Sequence, residues 1–139
     1  MRFVKLSQRE YKQIRRLYES VMSQACHGLF YREGMILGDE MALIAQQESE
    51  EYFEVCAKLL KAKGWVEDVK FEDGLVTVTG SIESLEPDTV GKVSCHRMRG
   101  ILKRIYEAHT HKQLHCEEIE CVAKGDKQCV FKLEEVVTD

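Results

Sequence analysis

Two cysteines near the C-terminal end constrain the fold of this 139-residue chain more than any other feature. Cys121 and Cys129 lie at equal distances on either side of Gly125, and Gly125-Asp126 is a typical hairpin turn. A hairpin that turns there makes the two cysteines a directly opposed cross-strand pair, with α-carbons about 4.5 to 5.5 Å apart. Two thiolates held in this way would supply half of a tetrahedral zinc site, since zinc binds cysteine sulfur at about 2.3 Å.

Two other interpretations of this pair stay open. Cys121 and Cys129 can be small buried residues of the core, on the same strand face as Ile119, Phe131 and Leu133. They can also form a disulfide, whose geometry suits an opposed pair. The chain shows no apolar N-terminal run long enough for a signal peptide and no run of about 20 apolar residues for a membrane span. We therefore expect a cytoplasmic protein whose six cysteines are reduced, which disfavours the disulfide.

The composition indicates one folded domain over residues 1–139. Hydrophobic residues make up 44% of the chain, which is enough for one continuous core. There is one proline and no Ser/Gly/Pro-rich tract, so no linker is predicted. The formal net charge of −4 leaves no basic surplus to neutralise a phosphate backbone, so we predict no nucleic-acid partner.

Three helices are predicted from apolar residues at helical spacing, over residues 8–25, 39–63 and 93–106. A capping box of Ser7 and Glu10 opens the first helix, because each side chain satisfies a backbone donor that the helix leaves free. Gly28, Gly34 and Gly38 lie between the first two helices, where they permit turns or close backbone approach.

Four strands are predicted as two hairpins. Asp73-Gly74 is the turn between residues 65–71 and 75–81, and Gly125-Asp126 is the turn between residues 113–124 and 127–137. Residues 84–91 contain the proline and are predicted to be a loop. The order is thus two helices, hairpin, helix, hairpin, which favours an α+β fold with an antiparallel four-stranded sheet packed against helices.

The segment 94–133 resembles the vinyl-4-reductase-type (4-vinyl reductase) domain family. It contains Cys-His-Arg-Met-Arg-Gly followed by a helix, then Glu-x-x-Cys, then Gly-Asp-x-x-Cys-x-Phe. The preceding helices and the strand start at Gly64-Trp65 are also similar, so the resemblance covers nearly the whole chain. The family includes sensory domains of aromatic-responsive bacterial regulators, tetrapyrrole-pathway accessory proteins and free-standing proteins, and it shares its fold with nitric-oxide sensors and Golgi tethering subunits. This resemblance implies a ligand pocket between the helices and the sheet.

The resemblance also implies a zinc site. In the family's regulators the ion is held by a cysteine at the start of the third helix and by the later motif, and the matching residues here are Cys95, Glu118, Cys121 and Cys129. Three thiolates and one carboxylate leave no position for water, which is typical of a structural site. In an ideal strand Glu118 points away from Cys121, so we predict a bulge or kink near Ile119. Without that bulge, the fourth ligand would be His115, Cys116 or water.

A second group of metal-binding residue types is His109, His111, His115 and Cys116. Imidazole and thiolate bind zinc and copper. These residues occupy the polar link between the third helix and the next strand, however, and a solvated loop is the favoured interpretation. Cys26-His27 has no ligand spacing and is interpreted as a helix end, while Cys56 lies on an apolar helix face and is assigned to the core.

These features favour a zinc-stabilised domain that binds an apolar or aromatic small molecule, as a sensor or carrier, over an enzyme. No phosphate loop, dinucleotide fingerprint or HExxH pattern is present. One alternative, suggested by the family resemblance, is an accessory protein or reductase in tetrapyrrole metabolism. Another is an architectural module in which the first helix pairs across a twofold axis. A homodimer is expected.

Overall fold

Four α-helices and a four-stranded sheet make up the part of the chain that the structure describes. The computed structural model describes residues 2–48, 51–84 and 94–137. The helices are α1 (Gln8–Met22), α2 (Cys26–Gln47), α3 (Tyr52–Ala62) and α4 (His96–Thr110). The strands are β1 (Asp68–Glu72), β2 (Leu75–Thr79), β3 (Leu114–Glu120) and β4 (Cys129–Glu135), with short 3-10 turns at Ser23–Ala25 and Val122–Lys124. Within these ranges, none of the helices is long and apolar enough to cross a membrane.

The sheet joins two hairpins through their neighbouring strands. Its order is β1-β2-β4-β3, and every neighbouring pair is antiparallel. Gly74 has a φ of +70°, which lets β1 and β2 turn at the predicted Asp73-Gly74 pair. Val76, Val78 and Phe131 are fully buried in the core that the sheet shares with the helices. The predicted α+β class, with a four-stranded antiparallel sheet packed against helices, is confirmed.

The N-terminal half is divided into helices differently from the prediction. The structure has two helices, α2 and α3, where one helix from Asp39 was predicted, and α2 extends back through Gly28, Gly34 and Gly38. Gly34 lies inside the helix because α4 approaches it at backbone distance. A Cβ atom at Gly34 would lie 2.0 Å from the carbonyl oxygen of Arg97. Spacing alone does not distinguish a glycine that permits such an approach from one that turns the chain.

α4 is the central helix of the described structure. Its predicted start, Val93, lies outside the described residues, and it ends at Thr110 rather than at Tyr106. Four of its side chains have no solvent exposure and belong to the core, namely Met98, Ile101, Leu102 and Ile105. Gly100 faces α2, where an added Cβ atom would lie 2.1 Å from the carbonyl oxygen of Tyr31. The contact between α2 and α4 therefore depends on glycine in both helices.

α1 is the least buried of the helices. The predicted capping box is confirmed, since the Glu10 N–H donates to Ser7 Oγ at 3.1 Å and the Ser7 N–H donates to Glu10 Oε1 at 3.0 Å. The helix ends at Met22, slightly short of the predicted Ala25. None of its side chains is buried. α1 is held by polar contacts and by ring contacts of Tyr11 with Trp65 and of Tyr18 with the buried Phe30.

Candidate metal centre and ligand cleft

The structure brings together the four residues proposed as metal ligands. Cys95 immediately precedes α4, Glu118 lies on β3, Cys121 follows β3, and Cys129 opens β4. All four side chains are buried, and one ligand atom from each lies within 4.8 Å of those of the other three. The described residues contain no other group of three or more such side chains.

The sulfur atoms have the spacing of a tetrahedral metal site. Cys95 Sγ lies 3.6 Å from Cys129 Sγ, and Cys129 Sγ lies 3.9 Å from Cys121 Sγ. Ligands at about 2.3 Å from a tetrahedral zinc ion stand about 3.8 Å apart. A disulfide needs about 2.05 Å, and all six cysteines are free.

A β-bulge directs Glu118 into the cluster. The pairing of β3 with β4 shifts between Glu118 and Glu120, at the position where the bulge was predicted. The extra residue, Ile119, places Glu118 and Cys121 on the buried side although they are three residues apart. Glu118 Oε1 accepts a hydrogen bond from the Cys95 N–H at 3.0 Å, whereas the buried Oε2 has no partner among the described residues. That second oxygen is therefore free to bind a cation.

The two later cysteines meet through a longer connection than the predicted turn. β3 pairs with β4 again after the bulge and ends at Glu120, and a 3-10 turn follows before β4 begins at Cys129. The Cys121 carbonyl oxygen accepts hydrogen bonds from the N–H groups of Lys124 and Asp126 at 3.0 and 3.1 Å. The Asp126 carboxylate in turn accepts the Cys121 N–H at 2.9 Å. These bonds hold Cys121 in place. Cys121 and Cys129 are not the directly opposed strand pair that was predicted, because Cys129 pairs with Val78 and Cys121 lies beyond the end of β3.

Three serine hydroxyls surround the sulfur atoms. Ser84 Oγ lies 3.2 Å from Cys95 Sγ and 3.0 Å from Cys129 Sγ, and Ser81 Oγ lies 3.3 Å from Cys95 Sγ. Ser94 Oγ lies 3.9 Å from Cys121 Sγ. Hydroxyl groups in such positions can donate to thiolates and orient them, as the outer ligands of metal sites do.

The pKa values of the cluster show why these donors suit a cation. Burial raises the pKa of the Cys95 thiol, and burial together with the charge on Cys121 raises the pKa of Glu118 to about 8. The pKa of Cys121 is lowered because its sulfur accepts hydrogen bonds from the Cys129 and Cys95 thiols, and the bond to Cys121 raises the pKa of Cys129 to about 12. A bound dication would let all four groups ionise together, since ligand deprotonation accompanies metal binding.

Glu83 is a buried acid near the cluster that the sequence analysis did not select. Its carboxylate accepts the backbone N–H groups of Arg97 at 3.0 Å and Met98 at 2.8 Å, so it caps α4, for which Cys95 offers no side-chain cap. The Tyr11 hydroxyl of α1 donates to the same carboxylate at 3.3 Å. No local signal marks Glu83, because the helix that it caps begins beyond an intervening segment of the chain.

The other candidate residues do not assemble into a metal site. His109 stacks on Tyr52 with ring centroids 5.0 Å apart, and His111 is exposed. His115 is exposed while Cys116 is buried, because neighbouring residues of β3 point to opposite faces. Neither of these two residues replaces Glu118 in the cluster.

The remaining cysteines are structural. Cys26 and Cys56 are both buried, and Cys56 belongs to the core as predicted. Cys26 opens α2, and the ring of the next residue, His27, stacks on His96 with centroids 4.1 Å apart.

An aromatic cleft of about 320 Å³ lies at the end of α4 that is opposite the metal-ligand cluster. It is formed by α3, the turn after β1 and the end of α4, and it is lined by Phe53, Phe71, Glu72, Asp73, Tyr106, His109 and Thr110. The rings of Phe53 and Tyr106 lie 5.0 Å apart, and those of Phe53 and Phe71 lie 5.1 Å apart. The Tyr106 hydroxyl donates to the Glu72 carbonyl oxygen at 2.7 Å, which fixes the ring at the cleft wall. Such a surface suits a small apolar or aromatic molecule.

Comparison with known family models matches the segment that contains β2, α4 and the final hairpin of β3 and β4. Residues 75–135 match the family model of the V4R domain. The match covers less than half of the chain. The matched segment contains all four residues of the cluster. Cys95 immediately precedes α4, and Glu118, Cys121 and Cys129 follow that helix. The predicted resemblance to vinyl-4-reductase-type domains is therefore confirmed.

Two solved structures share the fold of this chain. The phenol-responsive sensory domain of the transcription activator PoxR, solved with phenol, is 19% identical with a TM-score of 0.77, and the match covers 97% of this chain and 77% of that one. A vinyl-4-reductase family protein from Methanocaldococcus jannaschii is 17% identical with a TM-score of 0.68, over 97% of this chain and 85% of that one. At these identities the likeness shows the fold alone. The search of curated proteins found no match to the sequence.

Proposed function

We propose that residues 1–139 form one zinc-stabilised domain that binds an apolar or aromatic small molecule, as a sensor or a carrier. The observation that carries this proposal is the buried cluster of three sulfurs and one carboxylate, within 4.8 Å of one another, in the segment that matches the V4R family model. The cluster would stabilise the fold, and the ligand would bind at a separate site.

Zinc is the metal that this donor set suits best. Thiolates select zinc over the hard cations magnesium and calcium, which bind oxygen. Cys95, Glu118, Cys121 and Cys129 would fill all four tetrahedral positions and leave none for a substrate, so the ion's role would be to hold the start of α4 against β3 and β4. This closed arrangement favours a binding domain over an enzyme.

The aromatic cleft is the proposed ligand site within the described residues. Its walls combine the rings of Phe53, Phe71 and Tyr106 with the polar groups of His109 and Thr110, a mixture that is typical of small-molecule sites. The PoxR domain, which has the same fold, was solved with phenol. That likeness supports a small aromatic ligand for this chain as well.

We further propose a cytoplasmic homodimer that does not bind nucleic acid. Reduced, metal-binding cysteines suit a reducing compartment, and the net charge of −4 disfavours a phosphate backbone. Self-association is supported by exposed apolar side chains on α1 and α2, among them Leu17, Val21, Ile36 and Leu43.

Native mass spectrometry of protein purified from cells, combined with metal analysis, tests this proposal. We expect one zinc ion per chain, a dimer mass and an additional small-molecule mass that is lost on unfolding. If protein from cells supplied with zinc carried no zinc ion, the metal assignment would be wrong, because the cluster would then be an ordinary group of core cysteines.

The cleft is tested by filling it with an indole ring. In Thr110→Trp we expect the affinity for phenol, toluene and naphthol, measured by calorimetry, to fall at least about tenfold, because the ring occupies the space of the ligand. Gln13→Trp, at an exposed position of α1, is the control and should bind like the parent. Equal affinities in the parent and Thr110→Trp would show that the ligand binds elsewhere.

A further inference from the structure

The polar side chains of the aromatic cleft are almost all hydrogen-bond acceptors. The Tyr106 hydroxyl donates its proton to the Glu72 carbonyl oxygen at 2.7 Å, and the Thr110 hydroxyl donates its proton to the Tyr106 carbonyl oxygen at 2.9 Å. A hydroxyl group has one donor and two acceptor positions, so both oxygens can still accept but neither can donate again. Among the lining side chains, only the ring of His109 has an N–H to offer. A polar ligand must therefore supply most of the hydrogen-bond donors itself.

Two carboxylates at the turn after β1 make this end of the cleft negative. Glu72 and Asp73 both line the cleft, and none of its lining residues is a lysine or an arginine. Glu72 Oε1 lies 3.7 Å from Lys70 Nζ, so its charge is partly balanced. Asp73 is exposed and forms no ion pair with another residue that the structure describes. Burial and, after it, the charge of Asp73 raise the pKa of the Tyr106 hydroxyl. An unbalanced negative charge thus acts on the cleft.

The aromatic rings of the cleft add attraction for a cation. The rings of Phe53, Phe71 and Tyr106 have centroids 5.0 to 6.0 Å apart and are tilted against one another by 36° to 52°, so they form one continuous aromatic wall. The face of an aromatic ring carries partial negative charge and attracts a positive ion within about 6 Å. The same wall can pack against a second aromatic ring. Both a ring and a positive charge therefore find partners here.

We propose that the ligand of the aromatic cleft is a small arylalkyl amine in its protonated form, that is, an aromatic ring with an ammonium group on a short alkyl chain. Its ring would pack on Phe53 and Phe71, and its ammonium group would donate to the Asp73 carboxylate and to the Tyr106 hydroxyl oxygen. The cleft volume of about 320 Å³ is at the lower end for ligand sites and suits a molecule with one ring. This inference rests on the proposed ligand site and adds the charge and the hydrogen-bonding character of the ligand.

A neutral phenol and an aromatic acid match the cleft less well. A phenol can donate one hydrogen bond to these acceptors, but it leaves the charge of Asp73 unbalanced. An aromatic carboxylate has only acceptors, and it would lie beside two other carboxylates, which repel it. An ammonium group supplies three donors together with the opposite charge. The charge of the ligand therefore distinguishes the three classes.

Calorimetric titration of the full chain with phenethylamine, phenethyl alcohol and hydrocinnamate tests the proposal. The three molecules share a phenyl ring and a two-carbon chain and differ in the charge of the terminal group. We expect phenethylamine to bind at least about tenfold more tightly than phenethyl alcohol, because the alcohol lacks the charge-assisted hydrogen bonds and the attraction of a cation to the rings. Hydrocinnamate should bind more weakly than the alcohol. Added sodium chloride should weaken the binding of the amine but not of the alcohol, because salt screens exposed charges.

Asp73→Asn tests the carboxylate. It removes the charge and keeps the turn, because Asn-Gly suits a hairpin turn as well as Asp-Gly does. The affinity for phenethylamine should fall about fivefold or more, since a hydrogen bond to a charged group is lost, while the affinity for phenethyl alcohol should stay the same. Asp68→Asn is the matched control at the other end of β1. Asp68 is an exposed carboxylate that pairs with Lys61 and does not line the cleft, so this variant should bind the amine like the parent.

The failures of this inference and of the proposed ligand site are distinguishable. A parent that binds the amine no more tightly than the alcohol, or an Asp73→Asn variant that binds the amine like the parent, would overturn the inference and leave a neutral aromatic ligand in place. Undiminished binding of the amine to Thr110→Trp would also overturn it, because the amine would then bind outside the cleft. If the amine, the alcohol and naphthol all failed to bind the parent, the proposed ligand site would be wrong as well.

Discussion

At the scale of single residues, one inserted position determines whether the metal centre can exist. Regular alternation along β3 would send Glu118 and Cys121 to opposite faces. The bulge between Glu118 and Glu120 places both on the buried side, where the Cys95 N–H donates to the carboxylate. The orphaned Oε2 of Glu118 would be costly to bury unless a cation binds it. A buried polar atom without a partner is therefore independent support for a metal in this position.

Replacing one sulfur should remove the metal and much of the stability. For Cys129→Ser we expect zinc content to fall from about one ion per chain to near zero and the melting temperature to drop by about 10 °C or more, because the folding energy of such sites comes from the bound ion. Elemental analysis and differential scanning calorimetry measure the two effects.

Cys56→Ala is the control for this substitution. Cys56 is a buried thiol of the core outside the cluster, so its loss should leave zinc content unchanged and produce only the modest cost of a small cavity. If Cys129→Ser kept its zinc or melted like the parent, the structural role of the ion would be wrong.

At the scale of elements, the contact between α2 and α4 organises the helical layer. Glycines in both helices let the backbones approach more closely than side chains normally allow. Cβ atoms at Gly34 and Gly100 would each lie about 2 Å from a carbonyl oxygen of the facing helix. Such a contact has no room to relax, because the clash is with backbone and not with the end of a flexible side chain.

Gly100→Ala should therefore destabilise the protein strongly. We expect a loss of about 2 to 4 kcal/mol in the free energy of unfolding, since the added methyl group must push the two helices apart. Gly28→Ala in α2 is the matched control, because no atom lies within 4 Å of its Cβ position. It should be neutral or stabilise the fold by up to about 1 kcal/mol through helix propensity. Urea denaturation of both variants measures the difference, and similar values for the two would contradict the close contact.

At the scale of the whole molecule, the fold buries several groups that lose a proton at alkaline pH. Burial raises the pKa of the Cys56 thiol to about 12, and burial also raises the pKa values of the Tyr52 and Tyr106 hydroxyls. In the unfolded chain a cysteine thiol has a pKa of about 8.5 and a tyrosine hydroxyl a pKa of about 10. The folded protein thus keeps protons that the unfolded chain releases. The contribution of these groups to the free energy of unfolding is fully present below their unfolded pKa values and is lost as the pH rises towards their folded pKa values.

Tyr52→Phe should reduce this alkaline loss of stability. Between pH 8 and pH 10.5 the parent should lose about 0.8 kcal/mol more than the variant, because ionisation of an unfolded tyrosine contributes about that amount over the interval. Urea unfolding at the two pH values measures the change. Tyr18→Phe removes a hydroxyl from a ring that is 41% exposed and serves as the control, with a pH dependence like that of the parent. An identical decline in the parent and Tyr52→Phe would show that the Tyr52 hydroxyl is not held protonated by the fold.

Local patterns in the chain predict several features of the fold correctly. The Ser7 and Glu10 cap, the Asp73-Gly74 turn and the burial of Cys56 depend on near neighbours or on simple periodicity, and each is confirmed. The convergence of Cys95, Glu118, Cys121 and Cys129 was predicted through the family motif, and the bulge through the conflict between that motif and strand alternation.

Features that depend on contacts between distant segments required the folded arrangement. Gly34 and Gly38 lie within a helix because α4 packs on them, and Glu83 is important because it caps a helix from across an intervening segment. The aromatic cleft joins residues of α3, β1 and α4, which are far apart along the chain. Periodicity along a chain records which side of an element is apolar. Which neighbour, if any, covers that side is decided by packing.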